Sequence, residues 1–133
     1  MKEFMFIIRK QIRSEISLSL EQHQRFLKSC KIYINNLKSK GRLISAQPIE
    51  WSGKIISGNK QAWKQSPFDE SREVIGGYYH ILATSLDEAI DIAKANPELQ
   101  YNPDARIEVR PIKMKENKTG YVYPTEAIID EDR

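Results

Sequence analysis

The chain has 133 residues, of which 40% are hydrophobic and 29% charged, values ordinary for a single soluble domain. Its net charge of +3 comes from basic residues interspersed with 18 acidic ones, a pattern that predicts no direct contact with nucleic acid. The single cysteine, Cys30, excludes an intrachain disulfide and, in the absence of an apolar run of about 20 residues, predicts a cytoplasmic protein with no membrane association.

The first part of the chain predicts a strand, a helix and a second strand. Residues 4 to 9 are mostly apolar, as expected for a strand buried on at least one face. Ser19 followed by Gln22 matches a capping box, and apolar residues then recur at helical spacing. A helix that packs one face on a sheet should therefore run to Gly41, and residues 43 to 46 predict a short strand.

The segment from Trp51 to Trp63 predicts a small hairpin or similar excursion from the sheet. It contains two glycines, and Gly58-Asn-Lys60 has the composition of a turn. We expect the two tryptophans to pack under the hairpin, and an aromatic lid over a cavity is the alternative.

A long strand and a capped helix follow. Residues 73 to 83 form the longest strand-like run, and Gly76 with Gly77 inside it predict a β-bulge. Ser85 with Glu88 three residues later has the pattern of a second capping box.

The final elements are a strand and a polar extension. The second helix should end near Asn96, because the next residue, Pro97, disfavours helical backbone before it. Residues 105 to 113 predict the last strand, so we assign residues 1 to 113 to one domain. Residues 114 to 133 are then a C-terminal extension that either docks on the protein or frays.

The order of these elements predicts an α+β fold. Strand, helix, strand, excursion, strand, helix, strand is the ferredoxin-like βαββαβ order, with an antiparallel sheet and both helices on one face. The other face must then be covered, and a second copy of the chain is the simplest cover. The pattern therefore predicts a homodimer.

Side chains alternate along strands, which gathers polar residues on the uncovered face. The face toward the helices should carry the apolar set of Phe4, Phe6, Ile8, Tyr79, Ile81, Ile107 and Val109. The opposite face should carry Arg9, His80, Glu108 and Arg110. One hypothesis is a cavity between two copies that binds a small anionic or aromatic ligand, with Arg9, Glu108 and Arg110 as binding residues and His80 as catalytic acid or base. The alternative is an ion-pair network that holds the dimer together.

Two further candidates lie outside this cluster. His23 lies on the apolar side of the first helix, where it is either a partly buried, hydrogen-bonded residue or a catalytic one. Glu73 belongs with Glu70 and Arg72 to a charged run that either lines the mouth of a cleft and binds ligand or is only solvated. No metal, dinucleotide or phosphate-loop motif is present, so no cofactor is predicted.

Three motifs resemble the YCII-related family, whose members are also called DGPF-domain proteins. They are Pro67-Phe-Asp-Glu-Ser-Arg-Glu73 with Gly76-Gly-Tyr78 behind it, the capped segment Ser85-Leu-Asp-Glu-Ala-Ile90, and Glu108-Val-Arg-Pro-Ile112. The resemblance covers residues 3 to 113. It implies a dimeric α/β barrel with ferredoxin-like protomers.

The resemblance also implies a site that this chain alters. Activity proposed in the family depends on a His–Asp pair that transfers a proton. Here Phe26 occupies the histidine position of the first helix, and Gln65 occupies the aspartate position. His23, one turn earlier, and Asp69 are the nearest replacements.

These features leave several functions open. The first is a small-molecule-binding or accessory protein with a polar cavity at the dimer interface. The second is an acid–base enzyme that uses His80 or His23 on a small organic acid or aromatic. A regulatory partner of transcription machinery is a third.

Overall fold

Helices and strands follow one another as the sequence predicts, with one short helix added. The computed structural model describes residues 1–11, 18–68 and 73–124. Its elements are β1 (Lys2–Gln11), α1 (Leu20–Ser39), β2 (Leu43–Pro48), β3 (Ile55–Asn59), β4 (Ala62–Ser66), β5 (Glu73–Ala83), α2 (Leu86–Lys94), α3 (Pro97–Tyr101) and β6 (Arg106–Pro111).

β1 lies in the middle of a four-stranded antiparallel sheet. The strand order is β2-β5-β1-β6, and helices follow β1 and β5 along the chain. This is the ferredoxin-like order, so the predicted α+β fold is confirmed. β3 and β4 form a separate two-stranded hairpin between β2 and β5.

Alternation along β1 separates the core from the other side of the sheet. Phe4, Phe6 and Ile8 are at most 2% exposed and pack against both main helices. The buried cluster consists of Phe4, Phe6, Ile8, Leu37, Tyr79, Ile81, Ala83, Ala89 and Ala93. Both helices therefore cover the same face, as predicted.

The ends of α1 are set by the residues that the sequence singles out. Ser19 Oγ accepts from the Gln22 backbone N–H at 3.1 Å, and the Gln22 side chain accepts from the Ser19 N–H at 2.9 Å. Gly41 follows the helix with a φ of +68°, which favours glycine. At α2 only half of the predicted box forms, because the Glu88 carboxylate bonds the residue before Ser85. No helix within the described ranges combines the length and apolar character needed to cross a membrane.

A short helix, α3, lies where the sequence predicts only a helix end. α2 ends at Lys94, and Asn96 then caps α3 by accepting from the Glu98 N–H at 2.9 Å. Pro97 begins α3 because the first turn of a helix does not need its missing N–H. The Asn-Pro pair is thus a helix start as well as a stop.

The hairpin forms as predicted, but its tryptophans do not pack under it. Trp51 is 47% exposed and Trp63 is 64% exposed. The predicted packing is therefore wrong, because every residue of β3 and β4 is exposed and the hairpin offers no interior to fill.

The extension after β6 lies on the surface in its described part. Tyr121 and Val122 are 56% and 57% exposed, and the Tyr123 hydroxyl donates to Glu116 at 2.5 Å. These apolar residues do not join the core cluster of the protomer. Residues 125–133 lie outside the described ranges.

The predicted bulge lies in β5, opposite the end of β1. The pairing of the two strands shifts between Ile8 and Arg9, so Gly76 is the extra residue. A methyl group at Gly77 would lie 3.0 Å from the carbonyl oxygen of Gln47 in β2, whereas at Gly76 it would meet only a lysine side chain, at 3.2 Å. The bulge therefore needs glycine more strictly at Gly77.

Gly77→Ala should destabilise the protein more than Gly76→Ala. In the first variant the backbone of β2 must move, and such overpacking costs about 1–3 kcal/mol. In the second a flexible side chain moves aside at little cost. Urea unfolding of both variants measures the difference, and equal free energies of unfolding would contradict this account of the bulge.

Candidate functional site

The side of the sheet that the helices leave uncovered, here called the open face, carries the polar residues expected from alternation. It consists of Glu3, Met5, Ile7 and Arg9 of β1, Ser45 and Gln47 of β2, Glu73, Ile75, Tyr78, His80 and Leu82 of β5, and Arg106, Glu108 and Arg110 of β6. All four members of the predicted polar cluster lie on it. Among them, three are in contact and the fourth has a different partner.

Arg9, Glu108 and Arg110 form the predicted cluster. Arg9 Nη2 lies 3.1 Å from Glu108 Oε1, and Arg9 Nε donates to the same oxygen at 3.2 Å. Arg110 Nη1 lies 3.7 Å from the other Glu108 oxygen. Arg110 is 69% exposed, and solvent-exposed pairs of this kind contribute at most about 1 kcal/mol to stability. The cluster is therefore a charged surface whose contribution to folding is small.

Glu73 pairs with Arg106, a residue that the sequence analysis does not single out. Two hydrogen bonds join them, one from Arg106 Nε to Glu73 Oε2 at 2.6 Å. These bonds, with a smaller contribution from the charge of Arg9, hold the pKa of Glu73 below its usual value. Arg9 and Arg106 are paired residues of β1 and β6, so the two ion pairs are neighbours. Arg106 could have been predicted from the sequence, because it precedes Glu108 and Arg110 at every second position of the same strand.

His80 has its own partner, Glu3. The Nε2 atom of His80 lies 2.7 Å from Glu3 Oε1, and the Glu3 side chain is only 4% exposed. Glu3 lies one residue before the predicted start of the first strand at residue 4, so it is not among the predicted site residues. Glu3 precedes Met5, the residue paired with His80, by two positions, which places it on the same face.

The open face thus has two separate polar parts. Met5 and Ile7 lie along β1 between Glu3 and Arg9, and the described contacts of His80 do not include the arginines. A buried carboxylate that holds a histidine is an arrangement that orients the imidazole for proton transfer. The other part, which contains Arg9, Arg106 and Arg110 and is here called the arginine part, supplies positive charge for an anion.

A cavity of about 370 Å³ lies where β1 ends and β5 begins. Arg9 and Glu73 are its charged lining residues together with Glu50, and its walls include Trp51 and Phe68. The cavity therefore joins an aromatic wall to two residues of the predicted binding set. Trp51 forms part of the wall of this cavity. This position is closer to the alternative prediction, in which a tryptophan covers a cavity.

A larger cavity of about 580 Å³ lies between α1 and the strands β2 and β5, and His23 is on its rim. His23 is exposed, so the expectation of a partly buried histidine is wrong. It lies in the first turn of α1, with its ring 6.2 Å from that of Phe26. His23 and His80 lie on opposite sides of the sheet and do not form one site.

Phe26 and Gln65, the two positions at which the resemblance implies a His–Asp pair, do not line one cavity. Phe26 is 7% exposed on α1, whereas Gln65 is exposed on β4 and is not part of the lining of the same cavity. Asp69, Glu70 and Arg72 lie outside the described residues.

Cys30 lines the larger cavity and is half-buried. Burial, and secondly the nearby carboxylate of Glu98, raise the pKa of the thiol to about 11. The thiol is thus neutral near pH 7 and a weak nucleophile. Within the described ranges no three His, Cys, Asp or Glu residues are grouped so that they could hold a metal ion.

Alkylation of Cys30 by iodoacetamide should be slow at pH 8 and should accelerate as the pH rises through about 11. In concentrated urea the same rise should occur near the ordinary thiol pKa of about 8.5. The chain has one cysteine, so mass spectrometry follows a single product. Identical pH profiles for the folded and unfolded protein would contradict the burial of this thiol.

The family comparison agrees with the fold and with the position of the motifs. The family model of the YCII-related domain matches residues 3–114, which takes in the whole sheet except the first residue of β1. No curated protein matches the chain. Because the model covers most of the 133 residues, the protein belongs to the YCII-related family.

Proposed function

We propose that the protein is a homodimeric small-molecule-binding protein whose ligand is a small aromatic or aliphatic acid held at the arginine part of the open face. The observation that carries the proposal is the position of Arg9, which lines an aromatic-walled cavity of about 370 Å³ while belonging to the Arg9–Glu108–Arg110 cluster.

The apolar walls and the Arg9 guanidinium of this cavity suit a small organic acid, and of the two carboxylates that also line it, Glu50 and Glu73, the second is paired with Arg106. Ligand cavities are typically about 300–1,000 Å³, mostly apolar, with few polar groups that orient the ligand. Trp51, Phe68 and Ile75 supply apolar surface, and the Arg9 guanidinium can donate two hydrogen bonds to a carboxylate. Glu108 competes for the same guanidinium at 3.1 Å, so the ligand must displace or share this contact.

The open face also supports the dimer. The helices cover only one side of the sheet, and the other side carries Met5, Ile7, Tyr78 and Leu82, which are half-buried in the protomer. An apolar sheet face of this kind needs a cover, and a second copy supplies one with matching chemistry.

Glu108→Gln should strengthen the binding of benzoate, and Arg9→Gln should abolish it. The first change removes the carboxylate that competes for Arg9, and the second removes the guanidinium. Isothermal titration calorimetry measures both affinities, with Arg25→Gln as a control because Arg25 is an exposed arginine of α1 outside the cavity lining and the cluster. If Glu108→Gln lowers stability without any benzoate binding in wild type or variant, the cluster is a structural ion-pair network and the proposal fails.

A second candidate, an acid–base enzyme, is favoured by the His80–Glu3 pair. Glu3 is 4% exposed and 2.7 Å from His80, while His80 retains 18% exposure. In this function His80 takes a proton from a carbon next to a carbonyl group and returns it to the product. Glu3 positions the imidazole and balances the charge that His80 gains.

Wild-type protein should then catalyse the exchange of the methyl or methylene protons of pyruvate or phenylpyruvate for deuterium in D2O. The loss of the ¹H NMR signal of these protons measures the rate. His80→Gln should lower this rate by about 10²-fold or more, as is typical when a general base is removed. Glu3→Gln should lower it less and change its pH dependence. An exchange rate that His80→Gln leaves unchanged would contradict this second function.

A further inference from the structure

The larger cavity, on the helix side of the sheet, has no role in the function proposed above. It exists because part of α1 does not pack closely against β2 and β5. This helix of 20 residues buries only Phe26 and Leu37. Between them Cys30 and Ile34 are half-buried, and Leu27 is 52% exposed. An apolar stripe that should pack on the sheet therefore faces a gap of about 580 Å³.

Small residues of the strands form part of the wall of this gap. β2 and β5 line it with Ala46, Pro48, Gly76 and Gly77, next to the larger Gln47, Tyr78 and Tyr79. The glycines belong to the bulge, where the close backbone of β2 excludes a methyl group at Gly77. The bulge thus leaves two positions under α1 without a side chain.

The charges around the cavity are mostly positive. Lys10, Lys31 and Lys38 line it, and Glu98 is the carboxylate among its described lining residues. Glu98 is already satisfied, since one oxygen lies 2.9 Å from Lys10 Nζ and the other accepts from the amide of an asparagine at 2.8 Å. Lys31 and Lys38 are exposed on the rim. The cavity therefore combines an apolar wall with a positive edge at Lys31 and Lys38, which have no ion-pair partner among the described residues.

The shape of the cavity favours a chain over a compact ring. Its lining along α1 extends from His23 to Lys38, which corresponds to roughly 22 Å of helix at about 1.5 Å per residue. We propose that this cavity binds a medium-chain aliphatic carboxylate, with its hydrocarbon chain against Leu27, Cys30 and Ile34 and its carboxylate between Lys31 and Lys38.

The test is calorimetric titration of the full chain with decanoate. Lys31→Glu/Lys38→Glu should weaken binding at least tenfold. The matched control, Lys28→Glu/Lys40→Glu, changes the net charge equally on exposed residues of the same region that do not line the cavity, and it should leave the affinity within about twofold. Decan-1-ol, which has the chain but no charge, should bind more weakly than decanoate and should not respond to either double variant.

Cys30 provides a second, independent readout. Saturating decanoate should slow alkylation of this single thiol by iodoacetamide at pH 10 at least fivefold, since the thiol lies in the cavity wall. Arg9→Gln should not alter decanoate binding, which separates this site from the benzoate site. The proposal is overturned if decanoate does not bind, if both double variants weaken it equally, if Arg9→Gln abolishes it, or if bound decanoate leaves the alkylation rate unchanged.

Discussion

The structure depends on the central position of β1 and on the strict alternation of its side chains. β1 pairs with β5 on one side and β6 on the other, so each of its residues faces either the helices or the open face. Phe4, Phe6 and Ile8 take the core side and are nearly inaccessible to solvent. The residues between them take the other side, which fixes Glu3 and Arg9 on the open face. A register slip of one residue would exchange the core for the candidate site.

The bulge at Gly76 connects the sheet to both cavities. Gly77 of β5 pairs with Ile8 of β1, Gly76 has no partner, and Ile75 pairs with the next β1 residue, Arg9. On the open face this places Ile75 beside Arg9 in the smaller cavity, and on the helix side it leaves the glycines as a floor under α1. One local irregularity thus places Ile75 beside Arg9 on one face and leaves two glycines next to the larger cavity on the other.

Periodicity in the sequence predicts most of the fold, because alternation and capping are local. Ser19 with Gln22 is sufficient to place the start of α1, and the glycine pair is sufficient to predict the bulge. Contacts between residues that are far apart in the sequence are harder to predict. Glu3 is 77 positions from His80, and Arg106 is 33 from Glu73, so neither pair leaves a local signature. The large apolar side chain of Trp63 predicts burial, but the residue is exposed because no layer beneath the hairpin covers its indole.

The central claim is that a second copy of the chain covers the open face, and sedimentation velocity tests it most directly. Wild type should sediment as a dimer, and Ile7→Glu, which places a charge in the middle of the open face, should sediment as a folded monomer. The control is Ile32→Glu, a change of the same type on α1 at a residue that is 62% exposed, and it should remain a dimer. A monomeric wild type, or a dimer that persists in Ile7→Glu, would contradict the account.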